Sequence, residues 1–218
     1  MPEITAIEPQ KKTKDRFNIF LDGKFAFGVS QTTAVLENLQ IGKIITRDQI
    51  EKILKGEEFS RLQDSTMRFL NFRPRSEKEV RIYLTKKIAQ KENVKFSQAK
   101  ESPYIQKIIE KLKKYKFIDD LEFAKWFTSS RLKSHQKSTR LISWELKAKG
   151  IDQDIIEKVK KGLGSEKDLA ERAVSKKIKR WRSLPHLEFK KKFYQYLSSR
   201  GFSYETIKDA FAKFDKLR

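Results

Sequence analysis

The sequence has no cysteine, only two histidines, five prolines and eight glycines in 218 residues. Without cysteine there is no disulfide scaffold, no thiolate metal site and no cysteine nucleophile, which fits a reducing compartment. No apolar run approaches the roughly 20 residues needed to span a bilayer. The opening MPEITAIEPQ lacks the basic region and apolar stretch of a secretion signal. The expectation is a cytoplasmic chain with no membrane partner. Charge, by contrast, is abundant: 50 Lys plus Arg against 29 Asp plus Glu give a formal net charge of +21. Such a balance calls for a polyanionic partner: nucleic acid, an anionic membrane surface or an acidic protein. The 38% apolar content, with 16 Phe and 3 Trp, is enough for packed cores rather than disorder.

The charge is unevenly placed. Residues 1–60 hold 9 basic and 9 acidic side chains, so the whole surplus lies in 61–218. The neutral segment reads as β. Phe17 to Leu21 and Lys24 to Val29 flank Asp22-Gly23, the preferred pair for a type I′ hairpin turn. Ile4 to Glu8 supplies a candidate third strand. Thr46 to Gln49 has the form of a capping box opening a short helix through Ile50, Ile53 and Leu54.

After residue 57 the pattern is helical, and the few breakers fall where helices should start or stop. Ser76 to Glu79 is a capping box ahead of a stripe of Val80, Tyr83 and Leu84. Ser102-Pro103 is an N-cap followed by proline at the first helical position. Asp119-Asp120 opens a helix whose apolar face is Phe123, Ala124 and Phe127. Gly150 and Gly201 stand where a C-terminal glycine ends a helix. Leu146-x3-Gly150-Ile151 recurs as Leu197-x3-Gly201-Phe202, an offset of 51 residues. That offset also places Phe123 on Val174, Phe127 on Ile178, Arg131 on Arg182 and Ile156 on Ile207. In the segment before residue 119, Leu84 takes the Leu146 position. The glycine is missing there, and a polar stretch from Lys91 to Ser102 intervenes. The expected fold is mainly α: an elongated array of three three-helix repeats with a small N-terminal β-hairpin or sheet element. Its parts are a β-hairpin with short helices over 1–60, then repeats over 61–118, 119–164 and 165–218.

The ordered set Phe117-Ile118-Asp119-Asp120-x2-Phe123-Ala124, Glu145-Leu146-x2-Lys149-Gly150-Ile151 and Arg200-Gly201-Phe202-Ser203 resembles RecX, the family of bacterial regulators of the RecA recombinase. The hairpin Asp22-Gly23-x-Phe25-Ala26-Phe27-Gly28 is similar to the extension seen in some members. The resemblance covers most of 61–218. It implies a non-enzymatic modulator, acting by inhibition, that lodges in the helical groove of the RecA–DNA filament. Its targets would be the recombinase, ATPase and coprotease activities that serve DNA repair and recombination.

Read for chemistry, the residues offer little. His135 and His186 sit in polar surroundings without metal-pair spacing. Asp119-Asp120 is a helix cap favoured by the helix dipole. Lys161 to Ser165, with Gly162 and Gly164, lacks the Gly-Lys-Ser/Thr ending and preceding strand of a phosphate loop, and reads as a linker. No catalytic residue, metal or cofactor is assigned. The strongest signal is Arg172 to Arg182, with six basic residues and no acidic one. On a helical wheel Leu169, Ala170, Ala173, Val174, Ile178 and Trp181 share one side, which makes Trp181 core rather than a base-stacking residue. Arg172, Lys176 and Lys179 share the other, where their mutual repulsion weakens the helix and a polyanion would relieve it. Arg180, Arg182, Lys190 and Lys191, extended by Lys192, enlarge this basic end. Arg131, Lys133 and Arg140, with Lys137, add a second basic segment free of acidic residues from 123 to 144. A solvated lysine-rich face is the bland alternative. With no zinc finger, RNP-type strand or recognition helix-turn-helix, contacts to single- or double-stranded DNA would run through phosphates, with steep salt dependence. The chain is expected to act as a monomer on the RecA nucleoprotein filament. The competing function is a general nucleic-acid-binding or architectural protein with no specific protein partner.

Overall fold

The structure, a computed structural model, describes every residue except Lys12, His135, Leu217 and Arg218, with only the backbone of Thr13 and Lys14. It is mainly helical and divides into two compact units, Met1–Phe69 and Leu70–Arg218.

The first unit opens with a three-stranded antiparallel sheet in the order β1-β2-β3, formed by β1 (Ile4–Gln10), β2 (Thr13–Leu21) and β3 (Lys24–Ser30). Asp22 at φ 47° and Gly23 at φ 79° make the tight turn that the hairpin requires. The strand expected at Ile4 to Glu8 pairs with β2. Ile4, Ile19, Phe27 and Val29 point inward and meet Leu39, Ile45 and Ile53 in one core. A short helix α1 (Gln31–Leu36) and a long helix α2 (Arg47–Asn71) follow. The capping box at the start of α2 is reciprocal: the Gln49 amide donates to Thr46 Oγ1 at 3.2 Å, and the Thr46 amide to Gln49 Oε1 at 2.8 Å.

The expectation of a short helix here is corrected, since α2 runs 25 residues. No proline interrupts it before Pro74, and Gly56 lies inside it with open space where a side chain would begin. Glu57, 3% exposed on α2, anchors the sheet. It accepts from the Ser30 amide and pairs with Arg16, both at 2.7 Å. Burial pushes its carboxyl pKa up, but the bonds from Ser30, Thr33 and Arg16 prevail and hold it below the usual value.

The second unit contains α3 (Glu77–Glu92), α4 (Phe96–Ala99), α5 (Pro103–Lys114), α6 (Asp120–Ser134), α7 (Thr139–Ala148), α8 (Gln153–Lys160), α9 (Glu166–Trp181), α10 (His186–Ser198) and α11 (Tyr204–Asp215). Helices α6, α7 and α8 pack on one another, and so do α9, α10 and α11. The 51-residue offset is a burial repeat. Phe123 and Val174, Phe127 and Ile178, Leu146 and Leu197, Ile151 and Phe202, and Ile156 and Ile207 are all buried. In the first repeat α3 packs on α4 and α5. Ile88 occupies the place of the missing glycine and is itself buried, so α3 continues to Asn93, whose φ of 53° ends it. The polar insertion holds the single-turn α4.

The repeats meet through two equivalent joints. At the first, Ser76 Oγ caps α3 and donates to the Lys149 carbonyl at 2.8 Å, beside Gly150. The Glu77 amide, first in α3, donates to Asp120, first in α6, at 2.9 Å. At the second, the Ser138 amide donates to the Arg200 carbonyl at 2.9 Å, beside Gly201. The Thr139 amide, first in α7, donates to Glu166, first in α9, at 2.8 Å. Thus the end of α7 abuts the start of α3, and the end of α10 abuts the start of α7, each one repeat earlier. The orphan amides of each start find a carboxylate there rather than water.

Two details at the first joint depart from the sequence reading. The Ser76 box is only half formed, because Glu79 turns away to Arg73 at 2.9 Å and Lys149 at 2.7 Å. Tyr83 is only partly buried, unlike Val80 and Leu84. Burial raises the Glu79 pKa, yet the two cations outweigh it and leave the group below its usual value. Asp120 goes the other way: burial, aided by the Glu77 and Asp152 carboxylates, raises its pKa despite the Glu77 amide.

Candidate nucleic-acid interface

Helix α9 is specified locally. Ser165 accepts from the Asp168 amide at 3.1 Å, Glu166 and Asp168 lie in the first turn, and Lys179 and Arg180 lie in the last, all favourable to the dipole. Leu169, Ala170, Ala173, Val174, Ile178 and Trp181 are buried against α10 and α11. Trp181, 6% exposed, packs edge-on against Tyr196 at 5.3 Å. Arg172, Lys176 and Lys179 are exposed on the opposite side, and among the described residues none is paired with a carboxylate. At 1.5 Å of rise per residue, the three span about 10 Å along the helix. Like charges so placed repel.

Around this stripe the other basic residues have different surroundings. Arg180 is exposed and lines a surface cavity of about 510 Å³ with Lys192 and Gln195 of α10, floored by Trp181 and Tyr196. Lys192 is partly neutralised by Glu188 at 2.8 Å. Arg182, just past α9, and Lys191 are exposed. Lys190 is exposed too, with its ammonium about 6 Å from the Tyr194 and Phe211 rings. The end of α9 and the start of α10 therefore form one cationic neighbourhood.

The second basic segment does not act as a block. Arg131 bonds Glu145 at 2.8 Å and lies over the Phe127 ring at 4.7 Å, while Lys137 reaches the same Glu145 carboxylate. The first acidic residue after the acid-free run thus folds back between two of its cations. Lys133 lines a separate, largely aliphatic groove between α6 and α8 of about 660 Å³. Arg140 stands on the exposed side of α7 with Trp144 and Lys147.

Trp144 is the residue the sequence reading passed over. Ile142 and Leu146, two before and two after it, are 1% exposed, which by helical phase turns position 144 outward. The pattern that placed Leu146 in the core could have found it.

The remaining candidates for chemistry have structural roles. Asp119 Oδ1 caps α6 by accepting from the Leu121 and Glu122 amides at 2.9 and 3.0 Å. Lys161 to Ser165 links α8 to α9, with Gly164 at φ 79°. His186 is exposed and contacts Asp215 at 3.2 Å. His135 lies outside the described residues. Among the described residues no three metal-capable side chains converge, and no helix is long and apolar enough to cross a membrane.

Comparison with known proteins gives concordant matches. Three family descriptions fit separate segments: "Regulatory protein RecX N-terminal domain" over residues 2–46, "RecX, second three-helix domain" over 119–159, and "RecX, third three-helix domain" over 165–211. A regulatory protein RecX of Bacillus velezensis is 34% identical over 214 residues, covering 96% of this chain and 76% of that one. The Bacillus subtilis regulatory protein RecX is 35% identical over 212 residues, covering 96% and 76%. Among solved structures, a crystal structure of regulatory protein RecX superposes with a TM-score of 0.65 at 27% identity, covering 96% of this chain and all of that one.

Proposed function

This chain belongs to the RecX family of regulatory proteins, and from that premise we propose that it is a non-enzymatic inhibitor of the RecA recombinase filament. In this reading the stacked repeats lodge in the filament groove, and the cationic end of α9 and α10 contacts the DNA. The observation that carries the DNA contact is the Arg172, Lys176 and Lys179 face, exposed and unpaired among the described residues opposite a fully buried stripe. Phosphates are the natural complement to such a face, since they release condensed counterions and need no base readout. The two equivalent joints support the groove role, because each ties successive repeats through backbone amides and carbonyls at helix ends.

RecA ATPase activity on single-stranded DNA, measured with and without the protein, tests the reading. Inhibition that tracks the ratio of protein to RecA is expected. A rate that falls only when the protein saturates the DNA would favour the general nucleic-acid-binding role. Turnover of ATP or DNA by the protein alone, abolished by a point substitution, would overturn the non-enzymatic assignment.

A further inference from the structure

Two of the three tryptophans have partners. Trp181 is buried against Tyr196, and Trp126 lies under the Arg73 guanidinium at 5.6 Å. Trp144 is 67% exposed, and among the described residues its ring meets no aromatic or cationic partner. Arg140 lies one turn before it and Lys147 one turn after it, both exposed and neither held by a carboxylate among the described residues. The one acid of α7, Glu145, is occupied by Arg131 and Lys137. At the far end of the same face the Lys78 ammonium caps the Ala148 carbonyl at 3.1 Å, carried there by the joint between repeats. The surface is therefore a flat, unshielded indole set in a line of positive charge.

We propose that Trp144 is a stacking platform for an unpaired base of a single-stranded nucleic acid, with Arg140 and Lys147 taking the flanking phosphates. The inference rests on the nucleic-acid contact proposed above and adds a strand preference to it. Phosphate contacts alone attract duplex and single strand alike. An indole gains a partner only where a base face is free, because duplex bases already cover one another. A purely positive rim suits a phosphate chain, whereas a protein hot spot centred on tryptophan would need acidic or apolar neighbours from its partner alone.

The test compares wild-type protein with Trp144→Ala and Trp144→Phe, titrated with an oligothymidylate and with a duplex of equal length at several salt concentrations. Trp144→Ala should weaken single-strand binding about 5- to 160-fold, the range for losing one stacked base. The salt slope should not change, because no cation is removed. Duplex affinity should stay within twofold. Trp144→Phe should retain much of the binding, and single-strand quenching of indole fluorescence should be smaller than in the wild type. Circular dichroism checks folding, which an outward side chain does not control. Unchanged single-strand affinity in Trp144→Ala, or equal losses for both nucleic acids, overturns the stacking role and leaves the phosphate contact standing. Intact oligonucleotide binding with lost inhibition of RecA overturns it in favour of a protein contact. If the wild type binds neither nucleic acid, the DNA contact and this inference fall together.

Discussion

Gly150→Ala and Gly201→Ala test whether the repeats are joined by close backbone approach, with Gly164→Ala as an internal control. All three glycines have φ near +80°: 81°, 85° and 79°. An alanine in that region costs about 1–2 kcal/mol, partly offset by the smaller entropy of its unfolded state, about 0.4–1 kcal/mol. At Gly164 nothing lies within 4 Å of the place an added methyl would take, so its alanine variant should lose only about 1 kcal/mol. At Gly150 the added carbon would sit 2.8 Å from Lys78 Cβ, and at Gly201 2.7 Å from Leu141 Cβ and 2.8 Å from Ser138 Oγ. Carbon atoms at rest stand about 3.5–4 Å apart. Lys78 Cβ and Leu141 Cβ are fixed to their helices, so the helices themselves must separate. Overpacking of this kind adds about 1–3 kcal/mol, giving about 2–4 kcal/mol for either joint variant. Separation also stretches the Ser76 bond to Lys149 and the Ser138 bond to Arg200. Urea unfolding followed by circular dichroism reads the cost, and amide exchange at Ser138 reads the second joint directly. Because stacked repeats can unfold in parts, the slope of the transition must be followed along with its midpoint. Losses at Gly150 and Gly201 no larger than at Gly164 would refute the joints as described.

Changing Arg172, Lys176 and Lys179 together to Glu should lower DNA affinity and reduce the log–log salt slope by about 2.7 for duplex or 2.1 for single strands, measured by anisotropy at graded salt. The helix should survive, since its buried face is untouched and Glu is as good a helix former as Lys. An unchanged slope would make the stripe a solvated face. Glu79→Gln should cost about 1.5–3 kcal/mol at pH 7, the range for hydrogen bonds to charged groups. Because the folded pKa of Glu79 is depressed, its contribution is complete above the ordinary value of 4.5 and is lost as pH falls through the folded value. The gap between wild type and variant should therefore close in acid unfolding below that pH. Asp119→Ala removes the cap of α6 and should cost about 1 kcal/mol, read by thermal unfolding. Removing residues 1–60, which carry no net charge, should leave DNA affinity within a few-fold, provided the helical part remains folded.

Whatever depends on residues within about four positions of one another was legible in the sequence. Asp22-Gly23 fixed the turn because both positions need φ above zero. Thr46, Ser76 and Asp119 marked helix starts because their side chains bond amides two or three residues on. The two faces of α9 followed from the helical period alone, down to the burial of Trp181. The 51-residue repeat was visible because equivalent core positions demand similar side chains. Tertiary structure alone decided which charges remain free. Arg131 and Lys137 lay in a run without acids, yet packing of α6 on α7 brought Glu145 between them. Glu79 suited a capping box, but the second repeat delivered Lys149 to it and Arg73 completed the bridge. The exposure of Trp144 was implicit in the phase of α7. That its face stays open, with Lys78 brought to its end, was settled by how one repeat abuts the next. Local chain geometry is set by neighbours along the backbone, whereas the balance of charge at a surface is set by groups that only folding brings within reach.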